Sequence, residues 1–397
     1  MFMLNPQQKD IILATLPVVA TNLQTIVNKF YLRVFSNHPE LKNLFNQTNQ
    51  KNGFQQQALA NSIASFVTNY DSLSKIKPML VQIANKHVSL GISKDMYQIV
   101  GDNLMAAIGE VLQNILTPEI ADAWLSMYWV IANTLIELEQ ELYQQLEITA
   151  KDFLTTHSVV RRENESENTF SIYLMSKNDN KTHKYLAGQY VSIKVPLTDK
   201  THQFRQYSIP DVPDDNTFRI TIKYNNSDPS ELGVISKILY KNATLGSEWQ
   251  LSKPAGNFTL KHTQKKVIFL SAGIGITPVF SMLKHLIKDN SNTEIQFIHL
   301  TNNSHYHTFK TELANIQDIR LKTYIVYSNP KKEDIYGVDY HSTEIFNIIH
   351  HKEFICSDAN YYLCGSSEFM QQNKQKLINL GIKPSNIYSE AFEPNIS

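Results

Sequence analysis

The apolar positions of this chain change their period twice. Up to about residue 146 they recur every three to four residues, the repeat of one helix face. Leu23, Ile26, Val27, Phe30, Tyr31 and Val34 form one stripe, which His38-Pro39-Glu40 interrupts. A short segment, 41–45, follows, and after Asn52-Gly53 a helix carries Gln55, Leu59, Ser62, Ile63 and Phe66 at the same spacing. Leu80, Ile83 and Ala84 precede His87 by seven, four and three residues, so all four share a face. Pro78 fits the first turn of that helix, where its missing N–H costs nothing. Further helices are expected over about 95–112 and 118–146. Six or so helices in about 145 residues, several of them amphipathic, point to crossed helical packing rather than a four-helix bundle.

The segment 143–159 reads as a linker. Beyond it the pattern shortens and becomes β-like: Phe170-Ser-Ile-Tyr-Leu, Tyr190-Val-Ser-Ile-Lys-Val and Phe218-Arg-Ile-Thr-Ile-Lys, separated by turns such as 211–216. Short strands with no long helix between them favour a small antiparallel barrel. A third pattern starts at Lys265-Lys-Val-Ile-Phe-Leu270, a buried-type strand. It runs into Ser271-Ala-Gly273-Ile-Gly275-Ile-Thr277-Pro278 and then a helix through Ile287. Strands follow at Ile295-Gln-Phe-Ile-His-Leu, Thr323-Tyr-Ile-Val-Tyr and Tyr361-Tyr-Leu-Cys364-Gly365, the last leading into a helix with Phe369 and Met370. The fold class is therefore multidomain: an all-α unit, an antiparallel β-barrel and an α/β parallel-sheet unit, with boundaries expected at 1–147, 148–262 and 263–397.

Composition narrows this little. A chain of 397 residues, 42% apolar, has room for two or three domains with cores of their own. Lysine plus arginine and aspartate plus glutamate number 37 each, so charge gives no reason to expect nucleic acid or an anionic membrane as partner. The two cysteines, Cys356 and Cys364, have no metal-type spacing and suggest a reducing, cytoplasmic setting. The start of the chain lacks the pattern of a signal peptide, and the richest apolar run, 125–136, is too short to span a bilayer.

A lone histidine on an apolar face is most often a core group satisfied by a carbonyl, although an imidazole there can also ligate a haem iron. What changes the reading of His87 is its company. The words Lys29-Phe-Tyr31, Pro39-Glu-Leu, Phe45-Asn, Asn49-Gln-Lys-Asn-Gly53, Lys86-His87, Tyr97 with Ile99-Val-Gly101, and Ala132-Asn133 resemble the globin domain of bacterial flavohaemoglobins. The resemblance continues, in order, to the end of the chain. Arg205-Gln206-Tyr207-Ser208 matches the Arg-x-Tyr-Ser word of ferredoxin–NADP reductase-like flavoproteins, and Gly188-Gln189-Tyr190 a second flavin-contacting word. The strand-turn-helix with Gly273-x-Gly275-x-Thr277-Pro278 is not the Rossmann fingerprint, since its third glycine is absent, but it is strong for this reductase family when it follows Arg-x-Tyr-Ser.

By that resemblance His87 is the proximal iron ligand of one haem b, with Tyr97 and Glu139 as its partners. Glu137 and Glu141 flank Glu139, and the sequence alone does not say which carboxylate points inward, although Leu135, Leu142 and Tyr143 place Glu139 at the edge of an apolar stripe. Tyr31 and Gln55 are implied as the distal pair, with Leu59 and Phe45 walling the haem. A phenol O–H and an amide N–H₂ are donors suited to a bound oxygen with partial negative charge. Arg205, Gln206, Tyr207, Ser208 and Tyr190 are implied as FAD contacts, with the loop Gly233, Val234 and Ser236 at the pyrophosphate. That loop keeps one glycine where the family usually has two, and Ala187 stands where a proline is common. Gly273, Ile274, Gly275, Ile276, Thr277 and Pro278 would hold NADH or NADPH, with Cys364 and Gly365 beside the nicotinamide and Cys364 as a structural thiol. The tail Ala391-Phe392-Glu393-Pro394 resembles the segment whose aromatic covers the flavin, though Ala391 and Glu393 replace a common cysteine and glycine.

The resemblance implies a nitric oxide dioxygenase in which NAD(P)H reduces FAD, FAD reduces the haem, and O₂ and NO become nitrate. The alternative is an NAD(P)H-dependent reductase of flavin, ferric or quinone acceptors whose globin is an O₂ or NO sensor or carrier. The expected partners are small molecules alone (O₂, NO and NAD(P)H), with no nucleic acid, no integral membrane association and a monomeric state.

Overall fold

The computed structural model describes residues 4–46, 50, 53–177, 184–198, 201–212, 217–224, 233–261, 265–289 and 292–392. It divides into two compact units. One is built from Met1–Leu154 with Pro196–Arg205, the other from Thr155–Val195 and Gln206–Glu393.

The first unit is helical. Helix α1 (Pro6–Asn37) is much longer than its apolar stripe suggested, and its start is chemical: the Asn5 side chain accepts from Gln8 N while the Gln8 side chain accepts from Asn5 N, a reciprocal cap ahead of a first-turn proline. One face of α1 buries Ile12, Val19, Ile26, Val27, Phe30, Tyr31 and Val34. This helix, rather than 125–136, is the described segment long and apolar enough to cross a membrane, a test that core helices also pass. Its other face carries Lys29 and Arg33, both paired with Glu110. A 3₁₀ segment (Pro39–Leu44) leads on to α2 (Phe54–Asn69), α3 (Lys77–Ser89), α4 (Lys94–Leu112) and α5 (Pro118–Gln145). Proline does stand in the first turn of α3. Helices α4 and α5 meet closely at Gly101, where a Cβ would lie 2.6 Å from the Tyr128 ring, and the Tyr128 hydroxyl donates to Tyr97 O.

The linker is shorter than 143–159, since α5 runs to Gln145 and β1 begins at Leu154. Six strands, β1 (Leu154–Ser166), β2 (Thr169–Ser176), β3 (Tyr190–Pro196), β4 (His202–Ser208), β5 (Phe218–Lys223) and β6 (Glu248–Ser252), form one antiparallel sheet in the order β4-β3-β6-β1-β2-β5. Helix α6 (Val234–Asn242) lies between β5 and β6 in sequence. Register shifts after Val159 and Asn164 mark bulges that bend the long strand β1.

The rest is a parallel α/β unit: β7 (Lys266–Ala272), α7 (Ile276–Lys288), β8 (Glu294–Thr301), α8 (Lys310–Ala314), β9 (Leu321–Tyr327), β10 (Ala359–Gly365), α9 (Ser367–Asn379) and β11 (Ile387–Ala391). The strand order is β11-β10-β7-β8-β9. The chain winds outward from β7 through β8 to β9, then crosses to β10 on the other side of β7. That reversal opens a crevice at the carboxyl ends of β7 and β10, where open parallel sheets bind ligands.

Candidate functional site

Three helices of the first unit converge on one imidazole. Among the described residues His87 (α3) is held through Nδ1, which lies 2.7 Å from Glu139 Oε1 (α5) and 3.1 Å from the Tyr97 hydroxyl (α4). The Tyr97 hydroxyl in turn donates to Glu139 Oε1 at 2.5 Å. Glu139 is 3% exposed, whereas Glu137 and Glu141 are exposed, so of the three carboxylates Glu139 is the one that turns inward. Burial and the facing Glu139 carboxylate push the Tyr97 phenol up, so it remains a donor. A carboxylate on Nδ1 fixes the tautomer of the ring and leaves Nε2 with its lone pair outward, the state in which an imidazole ligates a metal. This arrangement fits a haem iron.

Tyr31 is buried on α1. Its ring meets Phe30 at 5.0 Å, Phe35 at 5.6 Å and Phe45 at 5.6 Å, the last edge-on. Its hydroxyl pairs with the Gln50 side chain rather than with Gln55, and burial raises its pKa. Nothing in the sequence singled out Gln50 as the partner of Tyr31. Gln55 and Leu59 are half-buried one turn apart on α2, and Gln55 Oε1 is a buried acceptor with no partner, as a site made for an added polar ligand would leave it.

The flavin-type residues lie on β3, β4 and the start of α6. Tyr190 is buried on β3 and Ser208 on β4. Arg205 is half-buried, its guanidinium donating to Phe204 O (2.8 Å) and Asn46 Oδ1 (3.0 Å), and Gln206 donates to Ser192 Oγ (3.1 Å). Tyr207 is half-buried next to them. Gly233 is the N-cap of α6 with φ 86°, a conformation that suits glycine, and the Ser236 hydroxyl of the first turn returns to Gly233 O. Val234, between them, is exposed. Among these residues the structure gives a glycine cradle at a helix start, as a pyrophosphate requires.

At the crevice, Gly273 has φ 53°, and Gly275 lies so close to β10 that a Cβ would be 2.4 Å from Cys364 O and 2.8 Å from Gly365 N. Ile274 accepts from the Thr277 hydroxyl (3.0 Å), which ties the turn to α7, and Ile276, Thr277 and Pro278 are buried in the first turn of that helix. Cys364 is fully buried and its thiol is pushed up by burial, which suits a structural role. Strand β11, not foreseen as a strand, pairs in parallel with β10 and sets Glu390 beside Cys364 and Ala391 beside Gly365. Phe392 follows, exposed; Glu393 and Pro394 lie outside the described residues. Sequence reasoning missed Glu390. Its Oε2 is buried without a partner, and burial pushes its carboxyl up to about 8.

Comparison with known proteins bears on all three regions. Residues 28–135 match the Globin family model, 156–260 the oxidoreductase FAD-binding domain and 269–375 the oxidoreductase NAD-binding domain. The chain is 38% identical to the flavohemoprotein of Bacillus subtilis (strain 168), over 100% of this chain and 99% of that one. It is 34% identical to the flavohemoprotein of Rhizobium meliloti (strain 1021), over 99% of each. Among solved structures it resembles a flavohemoglobin from Malassezia yamatoensis with bound FAD and heme (TM-score 0.84, 27% identity, 98% of this chain and 99% of that one). It also resembles the FAD/NAD-binding domain of a nitric oxide dioxygenase from Vibrio cholerae O1 biovar El Tor (TM-score 0.54, 26% identity, 60% of this chain and 98% of that one). The cofactor set that goes with these three domains is haem, FAD and NAD(P)H.

Proposed function

The chain belongs to the flavohemoprotein family, and on that premise we propose that it is a nitric oxide dioxygenase, which uses NAD(P)H and O₂ to convert NO to nitrate. The observation that carries the reading is the His87–Glu139–Tyr97 cluster, because a globin that only stores a gas has little use for a carboxylate on its proximal imidazole. Together the three cofactors supply hydride acceptance, single-electron transfer and dioxygen chemistry at iron.

The chain's own residues do the rest. His87 would hold the iron through Nε2, while Glu139 accepts the Nδ1 proton and raises the basicity of the ring, a push that favours oxygen activation. Tyr97 donates to the same carboxylate oxygen and keeps it aimed at the ring. Tyr31, still protonated because it is buried, offers an O–H on the distal side, and Gln55 a second polar group. Phe45 and Leu59 exclude water there. Arg205 and the Gly233 helix start would neutralise the FAD pyrophosphate, with Val234 and Ser236 beside it. Tyr207 and Tyr190 would pack against the flavin, and Ser208 would hydrogen-bond its reactive edge. The Gly273–Gly275 turn would take the pyrophosphate of NADH or NADPH, with Cys364 and Gly365 at the nicotinamide and Phe392 yielding its place over the flavin. We place the domain boundaries at 1–147, 148–262 and 263–397 and the enzyme, as a monomer, in the cytoplasm.

The test is aerobic NO consumption by haem- and FAD-loaded protein with NADH, with nitrate counted. The expected outcome is about one nitrate per NO and about half an NADH per nitrate, the electron balance of this reaction class. NADH oxidation without NO loss would sink the dioxygenase reading and leave a reductase.

A further inference from the structure

Four charged side chains close a ring between the six-stranded sheet and the parallel-sheet unit, and a fifth, Glu165, pairs with its central arginine. At its centre is Arg219 (β5), whose side chain is 2% exposed. Its Nε donates to Ser171 Oγ (3.1 Å), Nη1 to Asp211 Oδ1 (3.3 Å), and Nη2 to both Glu165 Oε1 (2.6 Å) and Glu312 Oε1 (2.5 Å). Lys284 completes the ring by binding Asp211 Oδ1 and Glu312 Oε2, the latter at 3.1 Å. Glu165 (β1), Asp211 and Arg219 belong to the six-stranded side; Lys284 (α7) and Glu312 (α8) belong to the other. Each cation therefore grips a carboxylate of its own side and one across the boundary.

Drawing Arg219 and Glu165 out of water is a poor way to gain stability, since well-packed apolar residues do as well or better. Such a network fixes a geometry instead. Around it the geometry is fixed by other means too. The Ser281 and Tyr185 hydroxyls both donate to Asp211 O, at 2.7 and 3.0 Å. Phe309, at the start of α8, holds φ 62°, costly for a side chain of its size, and its ring is clamped between Phe280, stacked at 4.7 Å, and the Arg219 guanidinium, 4.6 Å from its centroid. Strain of that kind persists only where the surroundings over-determine it.

What the ring joins gives it a purpose. Asp211 lies three residues beyond Ser208, on the flavin side. Lys284 and Ser281 are on α7, the helix that the Gly273–Gly275 turn opens. Asp211 is thus three residues from the side chain assigned to the flavin edge, and Lys284 lies on the helix that follows the nucleotide turn. We propose that the Arg219–Lys284 network is a latch that positions the nicotinamide against the flavin, with Arg219, Lys284, Asp211, Glu165 and Glu312 as positioning residues for hydride transfer. This rests on the FAD and NAD(P)H assignments made above. A cavity of about 370 Å³, lined in part by Glu163, Glu165, Phe309, Lys310 and Glu312, opens onto the carboxylate side of the latch, so dissolved ions reach Glu312, which is 38% exposed. Hydride transfer should therefore slow as ionic strength rises.

The experiment is rapid-mixing reduction of the flavin by NADH, and by NADH deuterated at the transferred position, in the full-length holoprotein and in Glu312→Gln and Arg219→Lys. Electron transfer from photoreduced flavin to haem is measured in the same samples. Glu312→Gln keeps shape and volume but loses the charge that Arg219 and Lys284 share. It should keep its FAD and haem and its flavin-to-haem rate. Its hydride-transfer rate at saturating NADH should fall ~10-fold or more, since small misplacements of reacting atoms cost that much, with an altered isotope effect and no remaining salt dependence. Arg219→Lys, which keeps the charge but not the fork, should fall between the two. An FAD-loaded Glu312→Gln protein with unchanged hydride transfer, isotope effect and salt dependence would overturn the proposal and leave the ring a stabilising contact. Failure of NADH to reduce the flavin of the unaltered protein would instead overturn the donor-site assignment, and the latch with it.

Discussion

Glu139 and Glu390 are both buried carboxylates, and they differ in what they meet. Glu139 accepts from His87 and Tyr97; the Oε2 of Glu390 has no hydrogen-bond partner among the described residues. Replacing Glu139 by Gln removes the charge facing Nδ1 while keeping the shape. Partners of metal-binding imidazoles are worth about 10–100-fold in metal affinity or activity, so Glu139→Gln should lose NO turnover on that scale, with a weakened iron–histidine stretch in resonance Raman. For Glu390 the prediction concerns pH. Its folded pKa, about 8, lies above the ordinary 4.5. Between those values the unfolded chain gives up this proton and the folded chain keeps it, so the group lowers stability progressively as pH rises from 4.5 to about 8 and by a constant amount above. Glu390→Gln should match the parent protein in urea unfolding at pH 4 and exceed it at pH 8.5; equal stability at both would mean that the carboxyl is ionised in the fold. The two residues were not equally legible. Leu135, Leu142 and Tyr143 bracket Glu139 at helical spacing, which put it at the edge of an apolar stripe without deciding between it and Glu137 or Glu141. Glu390 sits in Ile387-Tyr-Ser-Glu-Ala, where no alternation marks an inward side, and it is buried only because β11 pairs with β10 far away in the chain.

Elements were read best where a chemical signal and a periodic one agreed. Pro78 and the Leu80–Ala84–His87 spacing gave the helix Lys77–Ser89, and the strand-glycine-helix pattern gave β7 and α7. They were read worst where one signal was mute. The pattern over the first half of α1 is interrupted by Pro17 and by polar residues, so the apolar stripe is read from Leu23 although the Asn5–Gln8 cap starts the helix at Pro6. Strand β11 is only five residues long and pairs with β10. The two glycines of the turn after β7 make a prediction at this scale. Gly273 has open space around a Cβ but a left-handed φ; Gly275 has an ordinary φ and no space, with the Cys364–Gly365 backbone in the way. Gly273→Ala should cost about 1–2 kcal/mol of backbone strain and leave the turn in place. Gly275→Ala must push the turn off β10, at about 1–3 kcal/mol, as overpacking does. Measured as KM for NADH, the Gly275 variant should rise about tenfold or more, by the usual cost of displacing a binding group, with an unchanged flavin spectrum. A KM rise confined to the Gly273 variant would place the nucleotide elsewhere.

For the whole molecule, the succession of three periodicities carried the order of the domains, since each repeat answers to a different way of burying an apolar face. The charges that join those domains were not legible: no spacing relates Asp211, Arg219, Lys284 and Glu312 in the sequence, and only the fold brings them together. How the proposed electron path divides its work between the haem and reductase residues is tested by one substitution. The Tyr31 hydroxyl is buried, paired with Gln50 and held protonated, so it is a donor at any physiological pH. Tyr31→Phe removes that donor and keeps the ring that packs against Phe30, Phe35 and Phe45. A hydrogen bond to a charged acceptor is worth about 1.5–3 kcal/mol, so NO turnover should fall about tenfold or more, with faster O₂ loss. NADH-driven cytochrome c reduction draws on the flavin and nucleotide residues alone and should not change. Unchanged NO turnover would remove Tyr31 from the distal site. Loss of both activities would mean that the substitution disturbs the fold of the whole chain rather than the distal donor alone.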